Sequence, residues 1–246
     1  MKVVTLNIWG GRIHKPFLDF LKKYSEEVDV FCFQEVFDNP LARRLRLYND
    51  SRQNINKDIK RVLSGFNGWL VPLHDRGENL AIYVKKSLHV KVARDVFVYR
   101  WKNAMIGSDF STHGVNLQYI QVKHHDKTYT ICNLHGHWTP NNKGDTAVRL
   151  LQSENINKFI DLIPGPKILV GDFNFSPDTK AMAILETRMR NLVKEYGVTS
   201  TRSRLHVRNE LKFADYIMTS PEVGVVDFKV LPDVASDHLG LMLEFE

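Results

Sequence analysis

Lys167-Ile168-Leu169-Val170-Gly171-Asp172-Phe173-Asn174-Phe175-Ser176-Pro177-Asp178 is the stretch on which the fold reading turns. Its apolar start lacks the polar alternation of a half-exposed strand, so it reads as a parallel-type strand covered on both faces. Such a strand requires further layers above and below it. The run ends in Asp172 and Asn174, two residues apart and therefore on the same side of an extended chain. An ionised Asp directly after a buried strand is costly without a partner. Ser176 followed by Pro177 has the form of a helix opening, predicting a helix to about Leu185.

Working outward, β-rich runs recur at Val3–Ile8, Val30–Gln34, Leu80–Lys85, Val90–Tyr99, Leu117–His124, Thr128–His135, Tyr216–Thr219, Val223–Leu231 and Leu239–Phe245. These are too many strands for one simple sheet, and two packed sheets with helices as an outer layer would bury them. Helices are expected from Pro16 to Tyr24, with a proline in the first turn, and from about Thr146 to Ile163, where Pro164-Gly165-Pro166 ends the pattern. The polar stretch Asn49–Lys60 reads as a helix–loop excursion on the surface. Repeats, low-complexity tracts and linkers are not evident, so residues 1–246 are expected to form a single domain.

The 34 Lys and Arg exceed the 28 Asp and Glu by 6, a modest surplus that favours encounter with polyanions without selecting one. Cys32 and Cys132, the only cysteines, sit inside apolar runs and read as buried hydrophobes. Together with a start that leads straight into a strand and no membrane-length apolar window, this predicts a cytoplasmic protein, monomeric by default, with no membrane partner.

Polar residues repeatedly follow these strands, where a rigid scaffold presents functional groups. Asn7 ends the first run ahead of Gly10-Gly11; by itself it reads as a turn cap first and a ligand position second. Glu35 follows Val-Phe-Cys-Phe-Gln, and either a hard cation such as Mg²⁺ or a salt bridge accounts for it. His135 and His137 share one face of a strand; a zinc pair is conceivable but lacks further ligands, and a hydrogen bond to phosphate is the alternative. Asp215 lies inside an apolar strand, and Asp237 and His238 stand together before the last one. Asp215 is positioned to fix the tautomer of His238.

In this order the segments resemble the motifs of the endonuclease/exonuclease/phosphatase superfamily: Thr5-Leu6-Asn7, Phe33-Gln34-Glu35-Val36, Asn133-Leu134-His135, Gly171-Asp172-Phe173-Asn174, Ala214-Asp215-Tyr216-Ile217 and Ser236-Asp237-His238. Each motif alone is weak, and six in family order are specific. The resemblance implies a four-layer α/β sandwich, two mixed sheets face to face with helices outside. It implies Mg²⁺ or Mn²⁺ held by Glu35 with Asn7 and Asp237, and water positioned by Asp172 and Asn174. It implies charge stabilisation by His135 and His238, with Asp215 orienting His238. In the deoxyribonuclease I branch the middle histidine has a glutamate partner, a place that Glu78 is suited to fill.

The surroundings of Asp215 lack the Pro-Ala-Trp of inositol phosphatases. Phe173 departs from the tyrosyl-DNA phosphodiesterase branch, and Ile8-Trp9-Gly10-Gly11 from abasic endonucleases. The export signal and membrane hairpin of secreted sphingomyelinases are not evident. The expected function is therefore a nuclease acting on DNA or RNA, with a phosphatase or phosphodiesterase of a small nucleotide or metabolite as the alternative. A non-catalytic binding module is disfavoured by the full set of catalytic residue types. The basic stretches Arg12–Lys15 and Thr201–Arg208 read as phosphate-backbone tracks or solvated loops, and Trp9 and Trp138 as base-stacking or packing residues.

Overall fold

In a computed structural model, residues 1–38, 51–73, 78–104, 112–140, 142–208 and 210–246 are described. The chain forms two mixed six-stranded sheets. The first contains β1 (Lys2–Asn7), β2 (Val30–Phe37), β3 (Phe66–Pro72), β4 (Glu78–Lys85), β11 (Val225–Val230) and β12 (Leu241–Phe245), in the order β11-β12-β1-β2-β4-β3. The second contains β5 (His89–Tyr99), β6 (Val115–His124), β7 (Lys127–His135), β8 (Lys167–Asp172), β9 (Arg190–Asn191) and β10 (Asp215–Thr219), in the order β5-β6-β7-β8-β10-β9. Each sheet has a parallel pair at its centre, β1 with β2 and β7 with β8.

Strand alternation explains the layering. In β1 and β2, Val3, Val30 and Cys32 face the core shared with the second sheet, whereas Val4, Leu6, Phe31 and Phe33 face the opposite way. The outward face is covered by α1 (His14–Tyr24), through Phe17, Phe20 and Leu21, and by α2 (Ile55–Val62), through Ile55 and Ile59. On the far side α3 (Ala147–Leu162) and α4 (Lys180–Glu186) cover the second sheet, followed by a single turn α5 (Leu192–Glu195). This is the four-layer α/β sandwich expected from the sequence. Both faces of the central strands are buried, which is why β2 and β8 read as unbroken apolar runs.

Several local expectations change. Asn49–Lys60 is not a surface excursion where it is described: α2 buries Ile55, Asn56 and Ile59, and Asn56 bonds the Tyr83 hydroxyl; Asn49 and Asp50 lie outside the described residues. The helix expected from Ser176 starts later, because the Thr179 hydroxyl accepts from the Met182 amide at 3.2 Å and is the cap. β3 and the two-residue β9 carry no run long or apolar enough to announce them. Among the described residues, no helix is long and apolar enough to cross a membrane.

The topology brings strand ends together. Asn7 is in register with Gln34, His135 with Asp172, and Asp172 with Asp215. The sheets are also joined by buried amides: Gln34 Nε2 donates to Asn133 Oδ1 at 2.6 Å, and Asn133 Nδ2 donates to the Phe33 carbonyl at 3.0 Å. Gly171 lies at φ +133°, in a region L side chains rarely adopt, and a Cβ there would collide with the Leu134 carbonyl on the neighbouring strand. Gly171→Ala is therefore expected to destabilise the protein by about 3 kcal/mol or more. Urea unfolding checks this, and a loss below ~1 kcal/mol would contradict the close-approach reading.

Candidate active site

The ends of β1, β2, β7 and β8 and the starts of β4 and β10 surround one cleft of about 260 Å³. Glu35, His135, Asp172, Asn174, Asp237 and His238 line it. Asn7, fully buried, stands behind it and donates through Nδ2 to Glu35 Oε1 at 3.0 Å and to Asp172 Oδ2 at 3.1 Å. Its Oδ1 accepts from the Trp9 amide at 2.9 Å, so in this arrangement Asn7 fastens two carboxylates together.

Two of these residues occupy strained backbone. Glu35 at φ 58° and Asn174 at φ 62° are left-handed positions that non-glycine residues rarely take. Around Glu35 the β2–β4 register shifts between Phe33 and Val36, a bulge of the kind that re-aims a side chain beside a site. Asn174 is held by its amide N–H to Asp172 Oδ1 at 2.9 Å and by its Nδ2 to the Gly136 carbonyl at 3.0 Å.

His238 Nδ1 faces both oxygens of Asp215, at 2.8 and 2.9 Å, and Asp215 Oδ2 also accepts from the Thr201 hydroxyl at 3.0 Å. The other ring nitrogen of His238 lies 3.7 Å from Asp172 Oδ2 and 3.8 Å from Asp237 Oδ1. Burial favours the neutral ring, but Asp215 and Asp237 outweigh burial and the guanidinium of Arg202, so the pKa of His238 lies above the ordinary histidine value.

His135 is arranged the same way, its Nδ1 3.2 Å from Glu78 Oε1 and its Nε2 3.9 Å from Asp172 Oδ2. Here too burial depresses the imidazole, yet the hydrogen bond to Glu78 and the charges of Asp172, Glu78 and Glu35 lift it to about 9. Asp172 is pushed up by burial, but His238, Lys143, His135 and Arg202 hold it well below the usual carboxylate range. Glu35 behaves oppositely: burial, reinforced by the charge of Glu78, raises it despite His135 and Asn7.

His137 does not join His135. It is buried, stacked on His113 with ring centroids 5.0 Å apart, and the paired-histidine metal arrangement does not form. Three residues not singled out from the sequence enter the site: Lys143, whose Nζ bonds Asn174 Oδ1; Arg202, which abuts His238 Nε2 and lies 3.5 Å from Asp237 Oδ2; and His206, 3.3 Å from the same oxygen. Arg202 belongs to the basic stretch Thr201–Arg208, but Thr201, Ser203 and the side chain of Arg202 are buried, unlike residues of a solvated loop. Trp9 and Trp138 both line the cleft, and Trp138 is 44% exposed.

The loop carrying Trp138 and Lys143 is fixed from beneath by Arg149, fully buried. Its guanidinium donates to the carbonyls of His137, Asn142 and Gly144 and to the Thr139 hydroxyl, at 2.6 to 3.2 Å. Burial among neutral acceptors lowers its pKa to about 10.

Two donor sets are candidates for a divalent ion. Asp172, Asp215 and His238 bring ligand-type atoms within 4.8 Å of one another, but both Asp215 oxygens are already committed to His238. Glu35 and Asp237, two carboxylates that line the same cleft, offer oxygen donors of the kind a hard cation takes. The raised pKa of Glu35 fits a carboxylate awaiting a positive partner.

The sequence profile of the Endonuclease/Exonuclease/phosphatase family matches residues 4–238. No curated protein sequence matches. Among solved structures the chain is similar to a mannosyl-6-phosphatase of Bacteroides thetaiotaomicron, at TM-score 0.75 and 16% identity, covering 100% of this chain and 99% of that one. It is also similar to a humanized TDP2 of D. rerio, at TM-score 0.70 and 17% identity over 100% and 98% of the chains. The catalytic domain of human Nocturnin aligns at TM-score 0.68 and 16% identity over 100% and 94%.

The His135–Glu78 pair stabilises the fold fully below the ordinary histidine range, and that contribution is lost as pH rises through about 9. Glu78→Gln is expected to lower the His135 titration from about 9, because burial then acts with less opposition. NMR of the imidazole checks this, and an unmoved midpoint would show that Glu78 does not set the charge of His135.

Proposed function

The chain belongs to the endonuclease/exonuclease/phosphatase family, a family of phosphoester hydrolases, and on that premise we propose that it hydrolyses a phosphate ester of a nucleic acid or nucleotide by divalent-cation-assisted attack of water. The observation that carries this reading is the convergence of Glu35, Asp237, His135, His238, Asp172 and Asn174 on one cleft. Glu35, with Asn7 hydrogen-bonded to it, and Asp237 are the residues that would hold Mg²⁺ or Mn²⁺. When bound, such an ion supplies positive charge to a phosphoryl oxygen.

The remaining steps belong to side chains. Asp172 stays ionised because cations surround it, so its carboxylate accepts the proton that the attacking water gives up, and the neighbouring Asn174 amide helps to fix that water. As the new P–O bond forms opposite the leaving oxygen, negative charge grows on the phosphoryl oxygens. His238, oriented by Asp215 at Nδ1, turns its other nitrogen toward that charge. His135, kept cationic by Glu78, has a proton for the leaving oxygen as the old P–O bond breaks.

A nuclease acting on an internal phosphodiester and an enzyme removing a terminal phosphate both use these steps. Exposed Trp138 and the cleft-lining Arg208 favour a substrate with bases and phosphates. Purified protein with Mg²⁺ or Mn²⁺ is expected to hydrolyse at least one of single-stranded DNA, duplex DNA, RNA or a nucleotide phosphomonoester, and EDTA to abolish the activity. Glu35→Ala and His238→Ala are each expected to lower the rate about 10²-fold or more. A wild type no faster than these variants on every substrate would overturn the enzyme reading.

A further inference from the structure

Lys143 and Arg202 lend positive charge to Asp172, but the short contacts of both go elsewhere. Lys143 is 8% exposed and its Nζ is bonded to a neutral amide oxygen, Asn174 Oδ1. The Arg202 side chain is 7% exposed; its carboxylate contact, to Asp237, is long at 3.5 Å, and its other neighbour is an imidazole nitrogen. Among the described residues the Nε of Arg202 is buried with no hydrogen-bond partner. Burying two cations with such poor acceptors is expensive unless an anion completes them.

Both cations line the cleft on which Asp172 and His238 face, so the anion they await is the reacting group itself. Resting on the phosphoester-hydrolase reading, we infer that the cleft is built for a terminal phosphate monoester, with Lys143 and Arg202 as the residues that select it over an internal diester.

The transferring phosphoryl group spreads charge over three equatorial oxygens. In an internal diester one of the three carries the second ester chain, and that chain would lie against buried ammonium and guanidinium groups that it cannot neutralise. In a monoester the same position is a bare anionic oxygen, which accepts from both. Arg202 already abuts the nitrogen that His238 would offer to phosphate, so an arriving oxygen can bridge the two side chains. A fork of donors on Arg202 and a point charge on Lys143 suit a dianion with several exposed oxygens.

The test compares p-nitrophenyl phosphate with bis-p-nitrophenyl phosphate in Mg²⁺, since both release the same leaving group. Phosphorylated oligonucleotide ends, a mononucleotide and a hexose phosphate serve as further arms that identify the carrier of the phosphate. Wild type is expected to favour the monoester in kcat/KM. Lys143→Gln and Arg202→Gln should reduce that preference at least ~10-fold, the loss falling more heavily on the monoester, and Arg202→Lys should restore part of it. Inorganic phosphate should also protect wild type from thermal unfolding more than dimethyl phosphate does, a difference that both glutamine variants lose. A wild type that prefers the diester, equal losses on both esters, or equal protection by both anions would overturn the inference while leaving the hydrolase reading intact. Hydrolysis of neither ester nor any arm would overturn the hydrolase reading and the inference with it.

Discussion

A carboxylate buried between two sheets is the constraint to which the rest of this molecule answers. Asp172 is 2% exposed, and an ion taken out of water to that degree must be compensated by its surroundings. Its oxygens receive the Asn7 amide from the first sheet and the Asn174 backbone N–H from its own chain. Two imidazoles stand beyond them, at 3.7 and 3.9 Å. Each imidazole in turn has a carboxylate behind it, Asp215 for His238 and Glu78 for His135, which raises its pKa. Compensation of one buried charge thus recruits residues from β1, β4, β7, β10 and the segment before β12.

The architecture is what allows those residues to meet. Parallel pairing of β1 with β2 and of β7 with β8 sends equivalent strand ends to one edge of each sheet, and face-to-face packing brings the two edges together. The Gln34–Asn133 amide pair spans the interface one residue from Glu35 and two from His135. It couples the position of the first-sheet carboxylate to that of the second-sheet histidine. Local strain is tolerated where it aims a side chain: the bulge and left-handed backbone at Glu35 are held by the sheet around them.

Much of this was legible in the sequence because burial on both faces leaves a strong signal. Runs such as Val30–Gln34 and Lys167–Gly171 mark central strands, and the polar residue that ends each one marks the site edge. Motif order then supplied the fold and the expected membership of the cleft. What escaped was set by tertiary contact. β3 alternates weakly at the sheet edge, and α2 is rich in polar residues although Ile55 and Ile59 reach the core. Lys143 stands in a loop without periodicity, positioned by the buried Arg149. Arg202 was visible only as one basic residue among several, and its burial against His238 depends on a chain reversal that no local pattern encodes.

The account gives two kinds of carboxylate two duties. Asp172 and Asp215 face positively charged or imidazole side chains, whereas burial and the charge of Glu78 raise the pKa of Glu35. In the proposed reaction a hard cation would sit on the Glu35 and Asp237 side of the cleft. Crystals grown with Mn²⁺ and measured for anomalous scattering test this directly. The account predicts a peak bonded to Glu35 with Asp237 in its coordination sphere, and the Asp215–His238 hydrogen bond intact. A peak held instead by Asp172, Asp215 and His238, or none near Glu35, would contradict it.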